Sequence, residues 1–191
     1  MMQSAHVDIT SFHEFICRPE NQGRHFELIN GQIVEKMVAH RYSARVTIRI
    51  GGVLEIWLMR NDIGFLTSPE GGYLVGEQRF MPDIGFIRYE RLPDQTKDID
   101  GYIPAAPDLA VEVISPTDSV RHVTRKIFSY LAAGVVVWAV YPDDKEIEVF
   151  APGAVPVRLT LADTLDGGAL LPGFTVPVKD LFPAEGKPQS E

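Results

Sequence analysis

The sequence predicts an α/β fold, and three observations carry that reading. Residues 26–38 alternate in hairpin fashion around Asn30-Gly31. Residues 107–116 form a β-branched run bounded by prolines, and the order strand, helix, strand from Asp108 to Tyr141 spells a βαβ crossover with two parallel strands. At 191 residues, 45% apolar and 23% charged, the chain can bury a real core and is too apolar to be a disordered polyelectrolyte. We expect one domain over residues 1–183 and a flexible polar tail over 184–191.

In chain order, Ser11-Phe12-His13-Glu14 fits a capping box and opens a short helix that fades before Pro19. Residues 21–24 read as a turn. The hairpin follows, with Glu27 and Ile29 on one face and Phe26 and Leu28 on the other. Residues 43–60 carry Val46, Ile50, Val53, Leu54, Trp57 and Leu58 at steps of three and four, a helical stripe that Gly51-Gly52 weakens or adapts to a close neighbour. Short strands are expected at 64–67, 73–76 and 82–87, and residues 88–106 read as a polar surface loop. After the central strand, Thr117 or Asp118 caps a helix running to Ala133 with Val120, Val123, Ile127 and Leu131 as its core stripe, and Gly134 ends it. The continuous apolar run 135–141 has the composition of a central strand. Residues 146–150 alternate as an edge strand, 155–161 read as a further strand, and 170–182 as short extended pieces.

Acidic residues outnumber basic ones, 26 against 18, for a formal charge of −8. That balance argues against a surface that grips nucleic acid everywhere, though a local basic groove would satisfy the phosphate requirement. The single cysteine, Cys17, excludes an internal disulfide and a cysteine-cluster zinc site, and is expected to be a small buried hydrophobe. No secretion signal or membrane-length apolar run is seen, so the expected location is cytoplasmic.

The chemistry concentrates on the central strand. Its alternation puts Asp108, Ala110, Glu112 and Ile114 on one face and Leu109, Val111 and Val113 on the other. A carboxylate inside such a run needs a cation, a strong donor or a raised pKa. Pro82-Asp83 leads into another apolar strand, so Asp83 and Glu112 are candidates to converge. Two carboxylates at one point repel each other unless a cation joins them, and hard oxygen donors suit Mg²⁺ or Mn²⁺. The competing reading makes Asp83 a strand or turn cap and Glu112 the partner of a buried Arg or Lys. Lys126, on the following helix, either reaches this site or forms a solvated ladder with Asp118 and His122 at four-residue steps. Arg45, Arg49 and Arg60 either line a substrate groove or form the wet face of their helix, and His40 is expected as a polar residue at that helix's start. Trp57 and Trp138 read as core.

Taken together these motifs resemble the PD-(D/E)XK nuclease superfamily and, more specifically, its Uma-type "putative restriction endonuclease" family. The residues that carry the resemblance are Pro82-Asp83, Glu112-Val113-Ile114 and Lys126, with the hairpin Phe26-Glu27-Leu28-Ile29-Asn30-Gly31-Gln32-Ile33-Val34, the spacing from Lys126 through Tyr130 to Gly134, and Tyr141-Pro142-Asp143. It runs from about residue 10 to 182. The resemblance implies a restriction-endonuclease-like core, a mixed central sheet flanked by helices with an N-terminal β-hairpin. It also implies a divalent ion (Mg²⁺ or Mn²⁺) held by Asp83 and Glu112, Glu27 as an additional carboxylate, and DNA as substrate. The lysine of the superfamily's E-x-K would fall at Ile114, and the resemblance implies that Lys126 replaces it from the helix and orients the attacking water. A homodimer would pair two basic grooves and ease the burden of the net negative charge. The rival expectation is a nuclease-fold binding or regulatory module without hydrolysis; a glycosidase using Asp83 and Glu112 is a distant third, because no cleft of stacking aromatics is announced.

Overall fold

The computed structural model describes residues 6–37, 39–92 and 101–184. Helix α1 (Ile9–Ile16) precedes the hairpin β1 (Phe26–Ile29) and β2 (Gln32–Glu35). Asn30 and Gly31 both take positive φ, 48° and 71°, as a type I′ turn demands. Helix α2 (Arg41–Leu58) is followed by β3 (Gly64–Thr67), β4 (Gly72–Val75), β5 (Gln78–Phe80) and β6 (Ile84–Arg88). Then come β7 (Tyr102–Ile103), β8 (Leu109–Val113), α3 (Val120–Ala132), β9 (Val136–Tyr141) and β10 (Glu146–Phe150). Strands β11 (Val157–Leu159), β12 (Thr164–Asp166) and β13 (Thr175–Pro177) and helix α4 (Val178–Leu181) complete the described chain.

Two larger sheets face each other. One runs β11-β10-β9-β8-β6-β3, the other β2-β1-β5-β4-β7, and β12-β13 forms a separate pair. Strands β8 and β9 are parallel neighbours joined through α3, as the βαβ pattern predicts, while β6–β8 and β9–β10 are antiparallel, so the sheet is mixed. The alternation along β8 divides the core. Leu109 and Val111 pack with the α2 stripe Val46, Ile50, Leu54 and Leu58, and Trp138 stacks there on Phe174. Ala110 faces the other way, into a core shared with Ile127 and Tyr130 of α3 and Tyr73, Val75 and Phe80 of the five-stranded sheet.

Gly85 lets these two sheets approach. A Cβ there would stand 2.7 Å from Cζ of the buried Tyr73 ring, whose hydroxyl bonds Thr67 at 3.0 Å. Gly85→Ala is therefore expected to destabilise the fold by about 1–3 kcal/mol through overpacking, read as a lower urea midpoint with an unchanged slope.

Several local expectations are corrected. The first helix is capped by Asp8, whose Oδ1 accepts the Ser11 N–H at 2.7 Å, so Ser11 lies inside the first turn and does not cap it. Cys17 is exposed, because α1 covers the sheet through Phe12 and turns the cysteine outward. Strands β5 and β7 carry no clear alternation in two or three residues, and they emerge only through pairing with β1 and β4. Of the loop expected over 88–106, residues 93–100 lie outside the described residues, and the rest holds a 3₁₀ turn at Tyr89–Arg91 as well as β7. Strand β10 is not an edge, since β11 pairs with it. Helix α4 replaces part of the extended pieces expected near the C-terminus. The inward face of α3 is rotated: Val120 is exposed, while Lys126, Ile127 and Tyr130 are buried. Asp118 does not cap that helix by side chain but accepts the Ser115 N–H at 2.7 Å. The expected tail begins at a described residue, Ala184, but 185–191 lie outside the described residues. No helix among the described residues is long and apolar enough to cross a membrane.

Candidate active site

The antiparallel register of β6 and β8 pairs Ile84 with Val111, so the next position of the ladder sets Asp83 across from Glu112. Asp83 Oδ2 accepts the Val113 N–H at 2.7 Å, which fixes the carboxylate at the strand's end. Glu27 comes from β1 in the facing sheet, where its Oε1 accepts the Met81 N–H at 2.6 Å. Lys126 descends from α3 between the two. Its Nζ lies 2.7 Å from Glu27 Oε1, 2.9 Å from Glu112 Oε1 and 3.0 Å from Glu112 Oε2. The four residues singled out from the sequence thus meet in one place, and the solvated ladder read for Lys126 is excluded: the residue is 7% exposed. Asp108, itself buried, stands apart, paired with the half-buried Arg88 and Arg91.

Two further residues belong here. Tyr130, one helical turn beyond Lys126, donates its hydroxyl to Glu112 Oε1 at 3.1 Å and packs edge-on against Phe80, over whose ring the Lys126 ammonium also lies. Lys36, just past β2, donates to the Met81 carbonyl at 2.6 Å and pairs with Asp83 Oδ1 at 3.0 Å. Both had a signal in the pattern. Tyr130 follows Lys126 by four, so they share a helix face. Glu27 pairs with Val34 in the hairpin, and Lys36, two residues on, shares that strand face.

Three carboxylates against two ammonium groups leave the cluster one positive charge short of balance. The electrostatics follow. Burial pushes the Glu112 carboxyl up to about 7, with Lys126 pulling it down and Asp83 and Glu27 adding to the rise. Burial alone would lower the Lys126 pKa, but Glu112 and Glu27 outweigh it and the net shift is upward, so this lysine stays cationic. Burial, then the Glu112 charge, raises the Tyr130 phenol well above its ordinary value, keeping it a neutral donor.

The cluster opens into a cavity of about 210 Å³ lined also by His40, Ser115, Thr117 and His122. His40 stands at the start of α2 without a side-chain capping bond. Arg45 and Arg49 lie on the exposed face of α2, as does Arg60 just beyond its end. Among the described residues no three His, Cys, Asp or Glu side chains are grouped closely enough to hold an ion by themselves. The donor set nonetheless fits Mg²⁺ or Mn²⁺, which take one or two carboxylates and complete their shell with water and phosphate oxygens. A carboxyl driven up to about 7 partly by other carboxylates is a place where a cation lowers the energy.

Comparison with known proteins agrees with this architecture. The Uma2 family model, described as "Putative restriction endonuclease", matches residues 12–179. Among solved structures, the chain is similar to a protein from Anabaena variabilis ATCC 29413, described as "a putative nuclease belonging to DUF820". The two share 23% identity over 88% of this chain and 95% of that one, with a TM-score of 0.77, which establishes the shared fold. No curated protein matches the chain.

Proposed function

The chain belongs to the Uma2 family, and from that membership and the chemistry of its cavity we propose that it is a nuclease: a Mg²⁺- or Mn²⁺-dependent endonuclease that hydrolyses DNA phosphodiester bonds. The observation that carries the reading is the convergence of Glu27, Asp83, Glu112 and Lys126 with a deficit of one positive charge. Asp83 and Glu112 would hold the ion. Bound there, it would lower the pKa of a water and offset charge on the phosphoryl oxygens.

The chain's own residues supply the rest. Glu27, anchored by the Met81 N–H, holds Lys126; Lys126 and Tyr130 hold Glu112 in one orientation. Lys126 stands against Glu112 where it would orient the attacking water, the role the missing motif lysine at Ile114 leaves open. Arg45 and Arg49 are exposed on α2 but do not line the cavity, which leaves them as the wet face of that helix. A binding module without hydrolysis is the second reading, favoured by the fact that each of the three carboxylates already has an ammonium or backbone N–H partner.

Plasmid and single-stranded DNA incubated with Mn²⁺, Mg²⁺ or EDTA decide between them. Cleavage is expected with either ion and none with EDTA. Asp83→Asn is expected to lower the rate by on the order of 10²–10³-fold, the scale of one charge-stabilising group in a closed site. Cleavage that ignores EDTA sinks the metal mechanism, and DNA binding without cleavage establishes the module.

A further inference from the structure

The two lysines of the cluster are not equivalent. Lys126 has three N–H donors, and its ammonium lies within 3.0 Å of three carboxylate oxygens in an enclosed setting beside the Phe80 ring. It is a framing cation. Lys36 uses its ammonium on one carbonyl and one carboxylate oxygen, and its side chain is 21% exposed. An ammonium with two such contacts keeps a third N–H for another acceptor.

Its position is also particular. Lys36 and Asp83 line both the cavity that holds Glu112 and Lys126 and a second groove of about 530 Å³, floored by Ile48, Leu66 and Pro69. The shared wall is where a chain of alternating phosphates and apolar rings would cross from one cavity to the other. A point cation at that wall suits a non-bridging phosphate oxygen, and the apolar groove beside it suits the face of a base.

We propose that Lys36 binds the scissile phosphate of the substrate strand, with the neighbouring nucleoside seated in the Ile48–Pro69 groove, while Lys126 frames the carboxylates. The proposal rests on reading the cavity as a phosphodiesterase, and its test separates the two. The full chain is compared with Lys36→Met, Lys36→Arg and, as a control for loss of one surface charge, Lys179→Met. Readouts are kcat and KM on a short single-stranded oligonucleotide with Mn²⁺, Mn²⁺ binding by equilibrium dialysis, and anisotropy of the labelled oligonucleotide in EDTA.

Lys36→Met is expected to lower kcat/KM at least tenfold and weaken DNA binding in EDTA at least fivefold. It should also tighten Mn²⁺ binding several-fold, because Asp83 loses a competing cation. Lys36→Arg recovers part of the loss, and Lys179→Met changes nothing. A merely structural Lys36 would instead weaken Mn²⁺ binding along with everything else, and that result overturns the proposal. So does a Lys36→Met protein with kcat/KM within threefold of the parent. If the parent cleaves no DNA, the nuclease reading fails by itself; anisotropy then still decides the lysine, a fivefold loss supporting it and equal binding overturning it.

Discussion

Lys126→Met is expected to lower the unfolding free energy at pH 8 by about 3–5 kcal/mol, the range for breaking a buried ion pair from one side. Methionine fills most of the lysine's volume and keeps a contact with Phe80, so lost packing is a small part of the effect. The larger part is that Glu27 and Glu112 stay behind with one donor each, the Met81 N–H and the Tyr130 hydroxyl, and no cation in contact. Glu112, whose carboxyl burial already raises, would lose the cation that pulls it down and rise further. Stability must accordingly fall faster with rising pH in the variant than in the parent, and the gap between them narrows toward pH 5 as that carboxyl protonates in both folded proteins. Adding Glu27→Gln to Lys126→Met should return part of the loss, a non-additivity of about 1–3 kcal/mol typical of groups in one network. Urea titrations of the parent, Lys126→Met, Glu27→Gln and the double variant at pH 5 and pH 8 measure all of this. A Lys126→Met protein within about 1 kcal/mol of the parent at pH 8 would mean that the lysine does not neutralise buried carboxylates.

That the lysine sits among carboxylates at all was legible only in part. Glu112 stood out because a carboxylate in a β-branched run is an energetic conflict, and Asp83 because a Pro-Asp step introduced a second such strand. Local pattern alone could not decide whether Lys126 faced inward. The stripe Val120, Val123, Ile127 and Leu131 follows apolar residues at helical steps, but Val120 is exposed and the buried face is centred on Lys126, Ile127 and Tyr130. What rotates the helix is the facing sheet: Phe80 and Glu27 offer a ring and a carboxylate to an ammonium, and that partner is remote in sequence.

The hairpin and the βαβ unit were readable because their signals are local. Asn-Gly fixes a turn, and a thirteen-residue amphipathic helix between two apolar runs fixes a parallel pair. Strand β7 has two residues, and β5 three, one of them the buried Arg79, so neither carries enough alternation to be seen. Those strands exist because the five-stranded sheet completes its ladder there. Lys36 was missed for a different reason. Its signal, a shared face with Val34 opposite Glu27, becomes meaningful only once the hairpin is seen to border a charged cavity, and the backbone bond from Lys36 N–H to the His25 carbonyl extends that register.

Glu112→Gln is expected to separate activity from stability in opposite directions. Removing a carboxylate that would hold the ion forfeits several kcal/mol of charge stabilisation, a rate loss on the order of 10³-fold. The fold should gain. Burial holds the Glu112 carboxyl at about 7, above the ordinary 4.5 of an exposed glutamate. A folded-state pKa raised above the unfolded one contributes stability that is complete below about 4.5 and lost as pH rises through 7. In EDTA at pH 8 the ionised group therefore costs the folded protein about 3 kcal/mol. Glutamine has no such titration, and it leaves Lys126 paired with Glu27 alone, one charge against one. The stability difference between variant and parent should thus be small at pH 4.5–5 and favour the variant by pH 8. Mn²⁺ should reverse the order, since only the parent binds it tightly and binding to the folded state stabilises by mass action. Thermal unfolding in EDTA and in Mn²⁺ at pH 5 and 8, beside the cleavage assay, tests each step. A variant that is inactive and also less stable than the parent at pH 8 would mark Glu112 as a structural ion-pair partner; one that is inactive and more stable marks a site where the fold gives up stability to hold a carboxylate that the chemistry requires.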